Sequence, residues 1–234
     1  IERPIVFGNN DTPGILLSSA AKEYMKVYGV LVGKKPLIFT NNDSAYETAI
    51  EFKKNGINPI VLDSRKELNS DLITEAKNLG IDIKFEHVVV NANGYRKVKS
   101  ADIAKISEDK TNLGKIENIA CDCICVSGFW TPTIHLASQS GGKTKFNEDI
   151  DAFIPSQSKQ NETTVGSANG IFNLNDTLKN SFEAGYELSK KITSKENKLS
   201  VPAVVEKKNS KHDKFWCVPL PKGKKYKRFL DFQN

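Results

Sequence analysis

The run Thr40-Asn41-Asn42-Asp43-Ser44-Ala45-Tyr46-Glu47 stands between the apolar stretch Pro36–Phe39 and a helical pattern, and Pro59-Ile60-Val61-Leu62-Asp63 follows. Strand, tight turn, helix, strand and acid in that order is the layout of a dinucleotide-binding βαβ unit. There the turn's N–H groups cradle a pyrophosphate and the acid accepts ribose hydroxyls. Laying G-x-G-x-x-G/A on the turn puts Thr40 and Asn42 at the first two glycine positions and Ala45 at the third, where alanine is allowed. The first glycine makes the tight turn and the second lets the phosphates approach the backbone. Side chains at both places predict a crowded pocket, in a unit that no longer binds a dinucleotide in the usual way. Asp63 stands about where the ribose acid belongs, ~20 residues past the turn, but with the glycines missing the expectation runs against a ribose contact.

A second turn, Val165-Gly166-Ser167-Ala168-Asn169-Gly170, leads to an amphipathic pattern over 174–192 carried by Leu174, Leu178, Phe182, Leu188 and Ile192. A small-residue turn at a helix N-terminus can meet a phosphate with its N–H groups. A tight loop packed against the sheet explains the same residues, and both readings stay open. Acid–base and nucleophilic chemistry have little to work with. His87 falls mid-strand, His212 lies among lysines, and His135 follows the Trp130 segment as a structural histidine would. No G-x-S-x-G, H-E-x-x-H or P-loop occurs, so no catalytic residue is assigned and a cofactor must carry any redox step. Cys121, Cys123 and Cys125 alternate along one apparent strand, which puts them on one face as small hydrophobes rather than at zinc-knuckle spacing. No metal is expected.

With 234 residues, 38% hydrophobic and 26% charged, the chain fits one large or two small globular domains. No apolar run approaches the ~20 residues of a membrane helix, and no signal peptide is visible. Cysteine use fits a reducing, cytoplasmic setting. The net charge of +6 is local, because 206–228 holds nine Lys/Arg against two acids and the remainder has 25 basic and 26 acidic residues. This segment reads as a solvated linker or as a contact for an acidic partner. No nucleic-acid or membrane partner is expected. The opening Ile1 and the closing Phe229–Asn234, which looks like a strand cut short, predict a piece of a longer polypeptide.

The elements that position these residues follow from periodicity and caps. Helices are expected from Leu16 to Tyr28, over 43–54, from a cap at Asn69 or Ser70 to Leu79, and over 174–192. Strands are expected over 36–40, 58–62, 81–91, 95–106 (across an Asn93-Gly94 hairpin), 115–119 and 121–127. A short helix is expected over 133–139, followed by a polar loop.

This β-α-β-α-β order with a meander resembles thioredoxin-reductase-like flavoproteins, in which G-G-G-D-S-A-x-E opens an inserted nucleotide domain. Asp43-Ser44-Ala45-Tyr46-Glu47 keeps the second half of that phrase, Gly128-Phe129-Trp130-Thr131-Pro132 matches its G-x-x-P return, and Gly166-Ser167-Ala168 matches its closing G-D-x. Ser167 stands where those enzymes place an aspartate against the flavin's ribityl chain, which argues against ordinary FAD binding.

The wording is closer still to the α (large) subunit of heterotetrameric sarcosine oxidases. Its phrases include Glu2–Phe7, Asn10–Gly14, Phe39–Asp43, Ala120–Asp122, Val126–Gly128, Trp130-x-Pro132, His135-Leu-x-Ser-Gln139, Gly141–Lys143, Ala168–Gly170 and Asp231–Asn234. The resemblance implies an α/β fold, an FAD/NAD(P)-binding Rossmann-like three-layer domain with an inserted nucleotide-binding-like domain and an antiparallel flap. Residues 1–33 and 119–193 would belong to the first dinucleotide-binding domain and 34–118 to the degenerate insert. Residues 194–225 would be a basic linker, and 226–234 the start of an aminomethyltransferase-like, folate-binding domain. It implies NAD on this subunit, lined by Gly166, Ser167, Ala168, Asn169 and Gly170, with Gly128, Trp130 and Pro132 nearby and Asn10 and Asp11 closing the site. It further implies FAD on the β subunit, FMN in the complex, tetrahydrofolate downstream, γ and δ subunits as further partners, and a secondary amine handled by β. Large subunits of N-methylglutamate or opine-type dehydrogenases share these phrases, and a non-catalytic scaffold remains the alternative of a different class.

Overall fold

A computed structural model of the chain describes residues 1–193, 200–208 and 210–230. They fall into two compact units: Glu2–Phe129 with the segment from Lys207, and Ile1 with Trp130–Glu206.

The larger unit is built on a five-stranded parallel sheet, β1 (Ile15–Leu17), β2 (Pro36–Thr40), β3 (Ile60–Asp63), β4 (Asp82–Phe85) and β8 (Cys123–Ser127), in the order β1-β8-β2-β3-β4. Helices α1 (Ser18–Tyr28), α2 (Ser44–Lys54) and α3 (Asp71–Asn78) connect its early strands. Alternation along each strand separates two cores. Ile38, Val61, Cys123 and Cys125 pack with Ala21, Ala45, Ala49, Phe52, Ile73 and Ala76 of the helices. Leu37, Phe39, Leu62, Ile124 and Val126 face the other way, against Val88, Val90, Ala101, Ile103 and Ala104. These last residues come from an antiparallel sheet of β5 (His87–Asn93), β6 (Ser100–Ile106) and β7 (Leu113–Ala120). Helices, parallel sheet and antiparallel sheet thus form three layers, as the α/β reading expects. Each fully buried Leu, Ile or Phe contributes roughly 1.5–3 kcal/mol.

The expected boundaries at 33/34 and 118/119 run through this sheet, because β1 and β8 hydrogen-bond into it beside β2. Three local expectations are corrected. The single strand over 81–91 is two, since Glu86 takes φ 55° and turns the chain from the parallel into the antiparallel sheet. The Asn93-Gly94 hairpin is a longer loop, with Asn93 paired to Ser100. The three cysteines are all buried but do not share a face. Cys121 joins the core under the antiparallel sheet, while Cys123 and Cys125 face the helices. The reason is Asp122, whose carboxylate accepts the N–H groups of Lys34 and Lys35 at 2.8 and 2.7 Å and ends the run of β7 before β8 begins.

The smaller unit holds α4 (His135–Gln139), a hairpin of β9 (Lys143–Asn147) and β10 (Ala152–Gln157), a 3-10 turn at Gly166–Asn169 and α5 (Leu174–Ile192). The hairpin lies in what reads as a polar loop. Its signal was the alternation around Phe146 and Phe153, whose rings meet edge-on at 5.3 Å. Among the described residues no helix is long and apolar enough to cross a membrane. Ser194–Leu199 and Asn209 of the expected linker, and Asp231–Asn234 of the expected folate domain, lie outside the described residues.

Candidate functional site

The sequence offers two turns with the layout of a nucleotide site, the first of them without its glycines, and each unit contains one. In the larger unit the turn after β2 is packed with side chains. Thr40 and Asn41 are fully buried and Asn42 and Asp43 nearly so. The Thr40 hydroxyl donates to the Asn42 carbonyl at 2.9 Å and accepts the Asn42 N–H at 3.1 Å, closing the turn that glycine would have made. Asn42 donates to the Ser127 carbonyl and hydroxyl at 3.2 and 3.0 Å, tying β2 to β8. Its Oδ1 accepts the Ser44 N–H and hydroxyl at 3.0 and 2.6 Å, which caps α2. The pocket is therefore crowded, as the lost glycines predict.

Asp63 is fully buried and receives Arg65. The guanidinium donates to both its oxygens, Nε to Oδ1 at 2.9 Å and Nη2 to Oδ2 at 2.7 Å, and Nη2 also reaches Asp43 Oδ1 at 2.8 Å. The Tyr46 hydroxyl donates to Asp63 Oδ2 at 2.9 Å. Burial, and then the Asp63 charge, push the Tyr46 phenol far above its ordinary range, so it stays a donor. Burial alone would lower Arg65, but the bonds and charges of Asp63 and Asp43 outweigh it and raise the guanidinium further. The acid that could have met a ribose is thus saturated by side chains of its own unit.

The basic segment is the main correction. Residues 210–218 are not a solvated linker. They cross the carboxyl ends of β2 and β3. The Ser210 N–H donates to Asp43 Oδ2 at 2.6 Å and its hydroxyl to Asp43 Oδ1 at 2.7 Å. Arg65 Nη1 donates to the Lys211 carbonyl at 3.0 Å. Asn41 Nδ2 donates to the carbonyls of Asp213 and Phe215 at 2.8 and 3.1 Å, and the Asp213 N–H donates to the Asn41 carbonyl at 2.9 Å. Phe215 and Val218 are buried in the core under the antiparallel sheet. Val6 and Cys217 form a parallel bridge, with the Val6 N–H donating to the Trp216 carbonyl at 2.7 Å and the Val218 N–H donating to the Val6 carbonyl at 2.8 Å. The lysines point outward while Phe215, Trp216 and Val218 hold the segment, and those apolar residues were the one signal in the sequence.

His212 stacks on Phe129 at 3.8 Å, with its Nε2 buried and without a hydrogen-bond partner among the described residues. It lines a cavity of about 280 Å³ with Arg65, Lys66, Glu86, Glu108, Lys110, Lys211 and Asp213. Burial lowers its pKa, and Arg3, Lys214 and Arg65 lower it further against a partial offset from Asp213. A depressed folded pKa gives stability that is complete above the ordinary histidine value of about 6.5 and is lost as pH falls through the lowered value. Exchange of the Asp213 and Phe215 amides, corrected for its intrinsic pH dependence, is therefore expected to quicken between pH 7.5 and 5.5 in the native protein. It is expected to stay level in His212→Phe. An unchanged slope in that variant would assign the effect to another group.

Of the residues expected to bind NAD, three lie in this larger unit, where each already has a partner of the chain. Asn10 donates to the Phe229 carbonyl at 2.8 Å and accepts its N–H at 2.7 Å, and Asp11 pairs with Lys227. Gly128 is a close approach: a Cβ there would stand 2.7 Å from the Pro4 carbonyl, and the Gly128 carbonyl accepts Trp216 Nε1 at 2.7 Å.

The other seven lie in the smaller unit. Gly166–Asn169 is one turn of 3-10 helix flanked by Gly166 at φ 63° and Gly170 at φ 80°. Pro132 lies close to Gly170, where a Cβ would come 2.9 Å from Ile150, 3.1 Å from Ile154 and 3.8 Å from Pro132. Gly170 thus packs on the β9–β10 hairpin. Three residues farther on, Asn173 caps α5 by accepting the Asp176 N–H at 2.7 Å. The N–H groups of Leu174 and Asn175 both donate to the Glu206 carboxylate, the second at 3.0 Å. The helix N-terminus therefore already attracts an anion, as its unpaired donors and dipole require. Sequence reasoning had not singled out Glu206.

No protein-family profile matches the chain. Sarcosine oxidase subunit alpha of Corynebacterium sp. (strain P-1) is 34% identical over 179 residues, 76% of this chain and 18% of its own length. The same subunit of Corynebacterium sp. (strain U-96) is 31% identical over 247 residues, 100% of this chain and 24% of its own length. The chain thus spans at most about a quarter of these curated relatives. Among solved structures, the thioredoxin reductase of T. acidophilum matches with a TM-score of 0.54 at 14% identity, over 82% of this chain and 64% of that one.

Proposed function

The chain is homologous to sarcosine oxidase alpha subunits along its whole length, and we propose that it works as part of the large subunit of such an oxidoreductase. The observation that carries this reading is an alignment that runs through both units, including the segment that crosses the sheet, rather than through one nucleotide motif. On this reading the assembled enzyme demethylates sarcosine with oxygen and water, giving glycine, hydrogen peroxide and formaldehyde, or methylene-tetrahydrofolate where folate accepts the carbon. The β subunit carries FAD and selects the amine, an FMN serves the passage of electrons to oxygen, and γ and δ subunits complete a cytoplasmic heterotetramer. This chain supplies a scaffold for the β subunit and one wall of an NAD site, and no catalytic side chain.

The NAD wall is the Gly166–Gly170 turn with the start of α5. What supports it is the pair of N–H groups at Leu174 and Asn175, which hold a carboxylate now and suit a phosphate oxygen equally well. Bound NAD would add a nicotinamide nucleotide to the complex, and the residues here would bind and orient it. A bulky side chain at Ala168 is expected to remove it. Denatured full-length protein should release about one NAD per chain, and Ala168→Trp should release at least tenfold less while keeping its subunit composition. Release of FAD from this subunit would instead make it a flavin-binding reductase, and release of nothing from either protein would favour the scaffold.

A further inference from the structure

We propose that the carboxyl-end crevice of the parallel sheet has a permanent occupant, the chain's own segment 210–218, which takes the place a dinucleotide would fill and excludes nucleotides from this crevice. The inference goes beyond the function proposed above and does not depend on where NAD binds, since it concerns residues of the larger unit alone.

In an open parallel sheet a ligand binds outside the carboxyl ends of the strands, where turn donors and the acid after the second strand await it. In this chain each of those groups is already satisfied. The Asn41 amide, at the turn, donates to two carbonyls of the segment at 2.8 and 3.1 Å. Asp43, at the start of α2, accepts the Ser210 N–H and hydroxyl at 2.6 and 2.7 Å. Arg65 spends Nη1 on the Lys211 carbonyl and the rest of its fork on Asp63 and Asp43. Backbone carbonyls and N–H groups of the segment thus meet the donors and acceptors that phosphate and ribose oxygens would meet.

The fit is also apolar. Phe215 is 5% exposed and Val218 fully buried, in the same core as Phe39, Leu62 and Val126 of the parallel strands. A nucleotide entering here would have to expose both, break the bridge between Val6 and the segment, and leave Asn41 and Asp43 without partners. Leaving buried polar groups unpaired is costly, so losing several partners at once shuts the site. Glycines in place of Thr40 and Asn42 are then unnecessary, because no pyrophosphate has to approach the backbone.

The test uses full-length protein. Hydrogen exchange should show the amides of Ser210, Asp213 and Val218 protected about a hundredfold or more over an unstructured peptide, within reach of β2 and β3. The pair Asn41→Ala with Ser210→Ala should speed exchange in 210–218 at least tenfold while α1 keeps its rate. Irradiation with 8-azido-ATP should label no peptide containing 40–46 or 63–66 in the native protein. Exchange near the unstructured rate in the native protein, or nucleotide-competed labelling at those peptides, would overturn the proposal. So would strap exchange that the double variant leaves unchanged. If that variant does not fold, the two measurements on native protein decide. Because these readouts come from residues 40–66 and 210–218, they separate from NAD release in Ala168→Trp.

Discussion

Arg65→Ala is expected to destabilise the larger unit by about 3–5 kcal/mol, the range for breaking a buried ion cluster from one side. Asp63 is fully buried, Asp43 is 4% exposed, and Arg65 is the cation between them. Removing it leaves two carboxylates together without water, and takes a tie from the Lys211 carbonyl as well. Asp43→Asn is the informative control. It leaves one carboxylate facing one guanidinium and keeps an acceptor for Ser210, so its cost should stay near 1–2 kcal/mol. Arg65→Lys should recover little, because an ammonium cannot span both oxygens of Asp63. The slowest-exchanging amides of β2 and β3 in the full-length protein read these changes directly, without assuming that a multi-unit chain unfolds in one step. A loss under about 1 kcal/mol in Arg65→Ala would mean that water enters and the cluster does not hold the crevice closed.

The cluster also shows where sequence reading stops. That Asp63 ends a strand after a nucleotide-like turn is legible from spacing. That Arg65, two residues on, folds back to saturate it is not, since an arginine after a strand reads as solvated. Helix α5 is legible because five apolar side chains repeat at helical spacing, and the structure adds the Asn173 cap. Strand β2 is found because it is a short apolar run ahead of a turn. The segment 210–218 is lost for the opposite reason. Its lysines set the composition, while its fold is set by Phe215 and Val218 and by main-chain groups that carry no sequence signature. Glu206 at the start of α5 is invisible in the same way, because the contact links residues 31 or 32 apart in the chain.

Restoring a missing glycine tests both halves of this account. If Asn42 were merely a decayed phosphate-loop position, Asn42→Gly would relax the turn and return some nucleotide binding. The structure gives Asn42 other work. Its amide ties the Asn41 side chain, the Ser127 carbonyl and the Ser127 hydroxyl, and its Oδ1 caps α2 through Ser44. Glycine removes all of these from a residue 2% exposed and adds backbone entropy to the unfolded chain. Two or more buried groups would be left unpaired at about 1–3 kcal/mol each, so a loss of about 2–4 kcal/mol is expected. No gain in nucleotide should accompany it, since the segment 210–218 still fills the crevice. Titration of full-length Asn42→Gly with NAD, ATP and FAD, beside its exchange-derived stability, reads both outcomes. A stable variant that binds an additional nucleotide would show that the glycines alone were missing. A weakened variant that binds none would show that the turn has been rebuilt, side chain by side chain, to hold the segment that replaced the ligand.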